Sequence, residues 1–323
     1  MNENLTITDA AEKINRIKTE VGKTFIGQTE LVEKALITLL AEGHLLVEGV
    51  PGLGKTLLVL ALAKSLGAQS SRIQFTPDLM PSDITGNIML DSASGKFVTK
   101  KGPVFTNILI ADELNRAPAK TQAALFEAMQ EYQVSLDGVS YRLPEPFMVL
   151  ATENPLEHEG TYPLPDAQKD RFLMKVILPY PTHEEEKEMV SLVLSEGTGA
   201  KLSVDAVTAV TNPAEFSAMQ KIVSSIKIDH TIIDYAVRLC FATRDAAMLQ
   251  NGAGPRGSLA LLRSARAKAL IEDRDFVIPD DIKILAPSVL AHRISLSAES
   301  ELEGKTETAI IEDIINETEA PRT

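Results

Sequence analysis

Gly49-Val50-Pro51-Gly52-Leu53-Gly54-Lys55-Thr56 matches without interruption the pattern G-x-x-x-x-G-K-[S/T], whose loop holds the phosphates of a nucleoside triphosphate. An apolar run precedes it at residues 44–48 and a helix-forming apolar stretch follows at 56–66, so a strand, loop and helix are predicted. Loop N–H groups and the helix dipole then bind an anionic phosphate chain. The alternative is a glycine-rich turn that binds nothing, which the closing Lys-Thr pair disfavours.

The predicted nucleotide-binding residues are the loop and the first turn of its helix: Gly49, Val50, Pro51, Gly52, Leu53, Gly54, Lys55, Thr56 and Leu57. Lys55 is expected to contact the β- and γ-phosphates. The Thr56 hydroxyl is expected to ligate Mg²⁺. The motif therefore predicts a magnesium–nucleotide site.

A second stretch, residues 107–113 (NILIADE), supplies the acidic side of that site. Its apolar residues predict a strand that is buried on both faces, and Asp112 and Glu113 follow at its carboxyl end. Ligands of open parallel sheets bind outside that end, so both carboxylates should project towards the phosphates. Asp112 is expected to hold Mg²⁺, usually through water, and Glu113 to position and deprotonate the attacking water.

Composition sets the class of protein. A chain of 323 residues exceeds one typical core, so two domains are expected. No apolar run reaches membrane-spanning length and the N-terminus is polar, which predicts a cytoplasmic protein. The single cysteine, Cys240, excludes an internal disulfide and is expected to be a small core residue. A net charge of −13 argues against general affinity for nucleic acid.

The first half of the chain alternates helices and strands. Further strands are predicted at residues 71–75, 147–151 and 172–178. Residues 76–104 form a glycine- and proline-rich insertion with a hairpin near 88–98, whose lysines 96, 100 and 101 are expected to be a solvated rim. A second hairpin is predicted around Asp137-Gly138.

After Pro179 and Pro181 the pattern becomes helical. Helices are predicted near 183–196, 215–226, 229–249, 257–271 and 280–292, with no strand between them, and a last helix at 306–317. The change places a domain boundary near 182, which divides the chain into residues 1–182 and 183–323.

Two polar residues stand out beside the main motifs. Asn154 follows the strand at 147–151 and either orients the nucleophilic water or the γ-phosphate, or simply forms a turn before Pro155; spacing favours neither. Arg256 lies at a predicted helix start after a glycine-rich loop. An arginine is unfavourable at the positive end of a helix dipole, so a nearby anion is expected.

Together these residues resemble the MoxR family of AAA+ ATPases, in the clade that includes magnesium chelatase and MCM helicases. The matching segments are 44–56 (HLLVEGVPGLGKT), 111–117 (ADELNRA), 151–155 (ATENP), 170–172 (DRF) and 255–256 (PR). The resemblance implies a three-layer α/β/α P-loop NTPase domain with a five-stranded parallel sheet, followed by a smaller all-α lid domain. It also implies ATP as the nucleotide.

The resemblance assigns further roles. By it, Asn154 is the first sensor, Arg256 the second sensor, and Arg171 an arginine finger that reaches a neighbouring subunit's γ-phosphate. Alternatively, Arg171 pairs with Asp170 or with Glu residues at the surface. The insertion is similar to the helix-2 insert and the 132–146 hairpin to the pre-sensor hairpin, both facing a central pore. A finger that acts on a neighbour implies a homo-hexameric ring.

The leading functional interpretation, which the resemblance implies, is a chaperone-like ATPase that remodels a protein client, assembles complexes or assists metal-cofactor insertion, usually with a von Willebrand factor A domain protein. The client is not named by the residues. The alternatives are the motor subunit of a magnesium chelatase, a nucleic-acid motor, which the acidic balance disfavours, and a nucleotide-gated scaffold without turnover, which intact Lys55, Asp112 and Glu113 disfavour.

Overall fold

The structure is a computed structural model that describes residues 5–25, 27–49, 54–91, 95–154, 161–195 and 203–321. Residues 50–53 of the predicted phosphate loop therefore lie outside the described residues, and the predictions for Val50, Pro51, Gly52 and Leu53 rest on sequence alone.

The strands, in chain order, are β1 (Leu45–Glu48), β2 (Ser70–Gln74), β3 (Gly86–Asp91), β4 (Lys96–Lys101), β5 (Ile108–Asp112), β6 (Gln133–Leu136), β7 (Val139–Arg142), β8 (Met148–Glu153), β9 (Met174–Ile177), β10 (Leu249–Asn251) and β11 (Ser295–Leu296). The helices are α1 (Ile7–Gly22), α2 (Thr29–Leu40), α3 (Lys55–Ser65), α4 (Pro81–Thr85), α5 (Ala119–Glu131), α6 (Asp166–Lys169), α7 (His183–Ser195), α8 (Pro213–Ser225), α9 (His230–Asp245), α10 (Pro255–Ile271), α11 (Pro279–Leu290), α12 (Ala298–Leu302) and α13 (Glu307–Glu317). Short 3₁₀ turns follow β5 and α11, at Leu114–Arg116 and Ala291–Arg293.

A five-stranded parallel sheet forms the centre of the first half, in the order β2-β5-β8-β1-β9. Every residue of β5 is buried, as an apolar central strand covered on both faces requires. The predicted parallel sheet is therefore confirmed, with strand bounds within two residues of those expected. Because all five strands run the same way, their carboxyl ends meet at one edge of the sheet.

Two hairpins project beside this sheet. β3 pairs antiparallel with β4 over residues 86–101, a longer hairpin than the one predicted at 88–98. All six residues of β4 are exposed, which confirms the solvated lysines, and Phe97 is 76% exposed. In the β6–β7 hairpin the turn residues Asp137 and Gly138 both have positive φ, 49° and 77°, as a tight hairpin turn requires.

The helical half departs from the prediction in one respect. β10 and β11 form a two-stranded antiparallel pair, where the sequence predicts no strand after residue 183. Each strand is too short to show a local alternation, and only their pairing across the fold stabilises them. The prediction of purely helical structure there was wrong.

One apolar core crosses the predicted domain boundary. Buried side chains of α1–α3, of one sheet face, of α8–α11 and of α13 belong to a single cluster, which includes Cys240. A second cluster lies on the other sheet face against α5 and the β6–β7 hairpin. β9 ends at Ile177 and α7 begins at His183, so the change to helical structure falls between them. The division into domains 1–182 and 183–323 stays a prediction.

Candidate active site

The candidate site lies at the sheet edge where the parallel strands end. Gly49 directly follows β1, and its N–H donates to the carbonyl oxygen of Glu153 at the end of β8, over 3.3 Å. Asn154 is the next residue after β8 and is buried. The predicted first-sensor residue therefore lies beside the start of the phosphate loop.

The far end of the phosphate loop is fixed by an unusual backbone. Gly54 has φ +77° and caps α3, so the chain turns from loop into helix there. A Cβ at Gly54 would lie 3.2 Å from Cε2 of the Phe25 ring, which leaves little room for a side chain. Glycine is therefore needed both for the backbone conformation and for the space.

Lys55 is the first residue of α3 and lies between the loop and the acidic residues. Its Nζ donates to the carbonyl oxygen of Gly49 over 2.7 Å. Burial lowers the pKa of Lys55, and the carboxylates of Asp112, Glu113 and Glu48 act against that change. The ammonium thus lies within electrostatic reach of Asp112 and Glu113, and the structure brings these three predicted residues together.

Thr152 connects the two acidic residues and is not among the predicted site residues. The buried Thr152 hydroxyl donates to Asp112 Oδ1 over 3.1 Å and accepts the backbone N–H of Glu113 over 2.9 Å. Glu113 has φ 54°, so the chain turns sharply after β5. A hydroxyl residue at the end of the neighbouring buried strand, two positions before Asn154, is the signal that could have identified it.

Two arginines that the sequence analysis missed pair with the acidic residues. Arg72 Nε lies 2.6 Å from Asp112 Oδ2. Arg116 Nη1 lies 2.8 Å from Glu113 Oε2. Both carboxylates are therefore held by ion pairs as well as by the strand ends.

The donor set suits a magnesium ion that is shared with phosphates. A threonine hydroxyl and one carboxylate, Thr56 and Asp112, are hard oxygen donors, and Mg²⁺ is usually held by one or two carboxylates together with substrate phosphates. Within the described ranges no group of three or more His, Cys, Asp or Glu side chains is placed to hold a metal ion.

Arg171 and Arg256 lie together in a different place. Both line a cavity of about 330 Å³, whose wall also includes Asp170 and Arg293. Asp170 Oδ2 lies 3.3 Å from Arg256 Nη1, and Asp170 Oδ1 lies 2.9 Å from Nε of the buried Arg293. The anion expected near Arg256 is thus a carboxylate of the chain itself. Asp170 thus pairs with Arg256 and Arg293. These contacts disfavour the alternative in which Asp170 pairs with Arg171.

Arg171 instead contacts α5 and lies far from the phosphate loop. Its Nε donates to Gln130 Oε1 over 3.2 Å, and its guanidinium lies 5.5 Å from the centre of the Phe126 ring. Arg171 precedes β9, which runs parallel to β1, so it lies at the amino-terminal edge of the sheet. β1 has four residues, and at roughly 3.3 Å per residue the two edges are roughly 13 Å apart. The structure does not bring Arg171 or Arg256 to their own chain's loop.

None of the helices in the described part of the chain is long and apolar enough to cross a lipid bilayer.

Comparison with protein families gives two matches. Residues 44–174 match the model of the ATPase family associated with various cellular activities (AAA), and residues 241–314 match the AAA lid domain. The first match covers β1, the phosphate loop, both acidic residues and Arg171.

Individual proteins match over most of the chain. It is 45% identical to Chaperone MoxR1 of Mycobacterium tuberculosis, over 86% of this chain and 74% of that protein. It is 44% identical to the uncharacterized protein YeaC of Bacillus subtilis, over 97% and 94%, and 30% identical to Protein MoxR of Methylorubrum extorquens, over 90% of each. A crystal structure of a proposed ATPase from Cytophaga hutchinsonii superposes with a TM-score of 0.91 at 41% identity, over 98% and 97% of the two chains.

Proposed function

Because the chain belongs to the MoxR family of AAA+ ATPases, we propose that it hydrolyses ATP with Mg²⁺ at the sheet edge where Lys55, Asp112 and Glu113 meet. The observation that carries this proposal is where the strands end: Lys55 Nζ donates to the Gly49 carbonyl oxygen after β1, and Thr152 of β8 joins Asp112 to Glu113 after β5. A cation beside two acidic side chains at a helix start is the arrangement that a magnesium–triphosphate tail needs.

In this proposal each residue of the candidate site has a separate role. Lys55 binds the β- and γ-phosphates, and Thr56 and Asp112 hold Mg²⁺, which neutralises phosphate charge when bound. Glu113 accepts a proton from the attacking water, and Asn154 orients that water. The Thr152 hydroxyl orients the Asp112 carboxylate relative to the backbone N–H of Glu113. The ion pair with Arg116 accounts for the orientation of the Glu113 carboxylate.

Arg171 and Arg256 act on a neighbouring subunit in this proposal. Support comes from their position at the amino-terminal edge of the sheet, beside Asp170 and away from their own phosphate loop. A guanidinium that reaches the neighbour's γ-phosphate stabilises charge on the transferring group. Such action needs a closed ring, for which a homo-hexamer is the proposed form.

The client of this ATPase is proposed to be a protein. Chaperone MoxR1 carries that activity in its name, and this chain spans 74% of its length. The exposed Phe97 on the β3–β4 hairpin and the neighbouring β6–β7 hairpin are proposed to face the pore and contact the client. We propose that the protein works in the cytoplasm with a von Willebrand factor A domain partner. Its action there is to remodel the client, assemble complexes or insert a metal cofactor.

Two alternatives remain distinguishable by experiment. A magnesium chelatase motor would co-purify with a porphyrin-binding subunit. A nucleic-acid motor would show salt-sensitive binding to single-stranded DNA, which the net charge of −13 disfavours.

The test separates nucleotide binding from hydrolysis. Glu113→Gln should retain binding of a fluorescent ATP analogue while phosphate release falls by about 10²- to 10⁴-fold, the usual contribution of a general base. Lys55→Ala should lose binding of the analogue. Glu127→Gln, which removes an exposed carboxylate of α5, is the matched control and should behave as wild type. Full turnover in Glu113→Gln removes the base role, and tight ATP binding by Lys55→Ala removes the phosphate site.

A further inference from the structure

Both oxygens of the Asp112 carboxylate are already engaged by groups from neighbouring strands. Oδ1 accepts from the Thr152 hydroxyl on β8, and Oδ2 lies 2.6 Å from Arg72 Nε on β2. The Asp112 side chain is 12% exposed and the Arg72 side chain 53% exposed. The cation of this pair is therefore the more exposed of the two partners.

The strand register explains how Arg72 reaches Asp112. β2 and β5 are adjacent and parallel, with Gln74 opposite Asp112 and Arg72 opposite Ile110. Residues two apart on a strand share a face, so Arg72 and Gln74 project from the same face as Asp112. Gln74 Oε1 accepts from Arg72 Nη2 over 3.1 Å, a solvent-exposed contact that orients the guanidinium. The contact is therefore built by three side chains and does not rest on one flexible arginine.

We propose that Arg72 is a positioning residue that holds Asp112 and also weakens the binding of a free divalent cation there. The proposal rests on the proposed function, in which Asp112 holds Mg²⁺. A guanidinium is charged at every accessible pH, so a cation that approaches Asp112 alone meets a like charge a few ångströms away. The charges of a triphosphate outweigh that repulsion. The site then takes its metal ion together with the nucleotide and not before it.

The half-exposed position of Arg72 allows the exchange. A guanidinium at the surface can move into water at small cost when a metal–nucleotide complex takes its place beside Asp112. The Thr152 hydroxyl stays behind and keeps the carboxylate oriented, because its own position is fixed by the N–H of Glu113. The support of Asp112 is thus divided between a permanent neutral donor and a removable cation.

Mn²⁺ is the probe for this proposal, since electron paramagnetic resonance counts the free ion directly. Without nucleotide, Arg72→Gln should bind Mn²⁺ roughly tenfold more tightly than wild type, because one repelling unit charge is gone. Arg72→Lys keeps the charge and should stay near wild type. Arg238→Gln removes the same charge from a surface pair with Asp234 on α9, and should leave Mn²⁺ affinity unchanged.

Several outcomes overturn the proposal. If Arg72→Gln binds Mn²⁺ no more tightly than wild type, Arg72 is only a structural support of Asp112. If Arg72→Lys gains as much Mn²⁺ affinity as Arg72→Gln, the shape of the side chain and not its charge is the cause. Arg72→Gln/Asp112→Asn must lose the gained affinity, since otherwise the ion lies elsewhere. These titrations need no ATP turnover, so their failure is separate from a failure of the Glu113 and Lys55 variants. If Arg72→Gln does not fold, Arg72→Met, which removes the same charge and keeps the aliphatic stem, takes its place in the titration with the same expected tightening.

Discussion

Lowering the pH should weaken the fold through His44, a buried residue at the start of β1. His44 Nδ1 accepts the backbone N–H of Val149 over 3.0 Å, and Nε2 lies 2.9 Å from the carbonyl oxygen of Met129. The neutral ring satisfies both contacts, with one nitrogen as acceptor and the other as donor. A second proton would break the contact with Val149. Burial is the main reason that the pKa of His44 falls from 6.5 to about 4.

The sign and size of the effect follow from that shift. The pKa of His44 is lower in the folded than in the unfolded state. The contribution of the neutral ring to the free energy of unfolding is therefore fully present well above pH 6.5, and it is lost as the pH falls from there towards the folded pKa. Between about pH 7.5 and about pH 5.8 the loss is about 1 kcal/mol, from about 1.4 kcal/mol for each full pKa unit. The lower limit stays above the sequence pI of about 5.0, where proteins of low net charge associate.

Urea unfolding followed by far-ultraviolet circular dichroism measures this loss. The free energy of unfolding of wild type should fall by about 1 kcal/mol more over this pH range than that of His44→Asn, which does not titrate. His292, also buried and with its pKa held well below the usual value by burial, is present in both proteins and cancels. His183→Asn, at a side chain 88% exposed, should keep the wild-type slope. Parallel pH dependence of wild type and His44→Asn would refute the reasoning.

Two further predictions concern the ring and the helical half. If Arg171 acts on a neighbouring subunit, rings made only of Lys55→Ala subunits or only of Arg171→Ala subunits should be inactive. Rings mixed from the two variants should recover part of the ATPase rate, because an Arg171→Ala subunit then receives the arginine of a Lys55→Ala neighbour. No recovery at any mixing ratio contradicts action on a neighbour. Asp281→Asn should lower the free energy of unfolding by about 3 kcal/mol, since the buried carboxylate accepts two hydrogen bonds from Arg274. Asp280→Asn, in an exposed pair, should cost less than about 0.5 kcal/mol in the same urea experiment, and equal losses in the two variants would contradict the burial argument.

The sequence alone was sufficient for the parts of the fold that depend on short-range pattern. A glycine-rich loop between an apolar strand and an apolar helix is a local unit, and a fully apolar strand that ends in Asp112-Glu113 is another. Their presence together led to the family, which the comparisons confirm. The five parallel strands were found within two residues, since four of them are short, mainly apolar runs bounded by polar residues, whereas β2 has Ile73 as its one apolar residue.

Other features escaped because their partners are distant in sequence. The β10–β11 pair joins strands 3 and 2 residues long, and neither has a signal of its own. Arg72 and Thr152 are ordinary polar residues on separate strands until the order β2-β5-β8 places them on either side of Asp112. The roles given to the individual site residues, Asn154 among them, stay predictions.

The residues of this chain determined which chemistry is present, since a phosphate loop and a carboxylate pair are each written in consecutive positions. Only the tertiary structure decided which groups meet. Parallel strands bring Lys55 to Asp112 at one edge and leave Arg171 with Asp170 and Arg256 at the other. The physical reason is that strand order and direction, which set these distances, arise from burial of whole sheet faces and not from any local spacing.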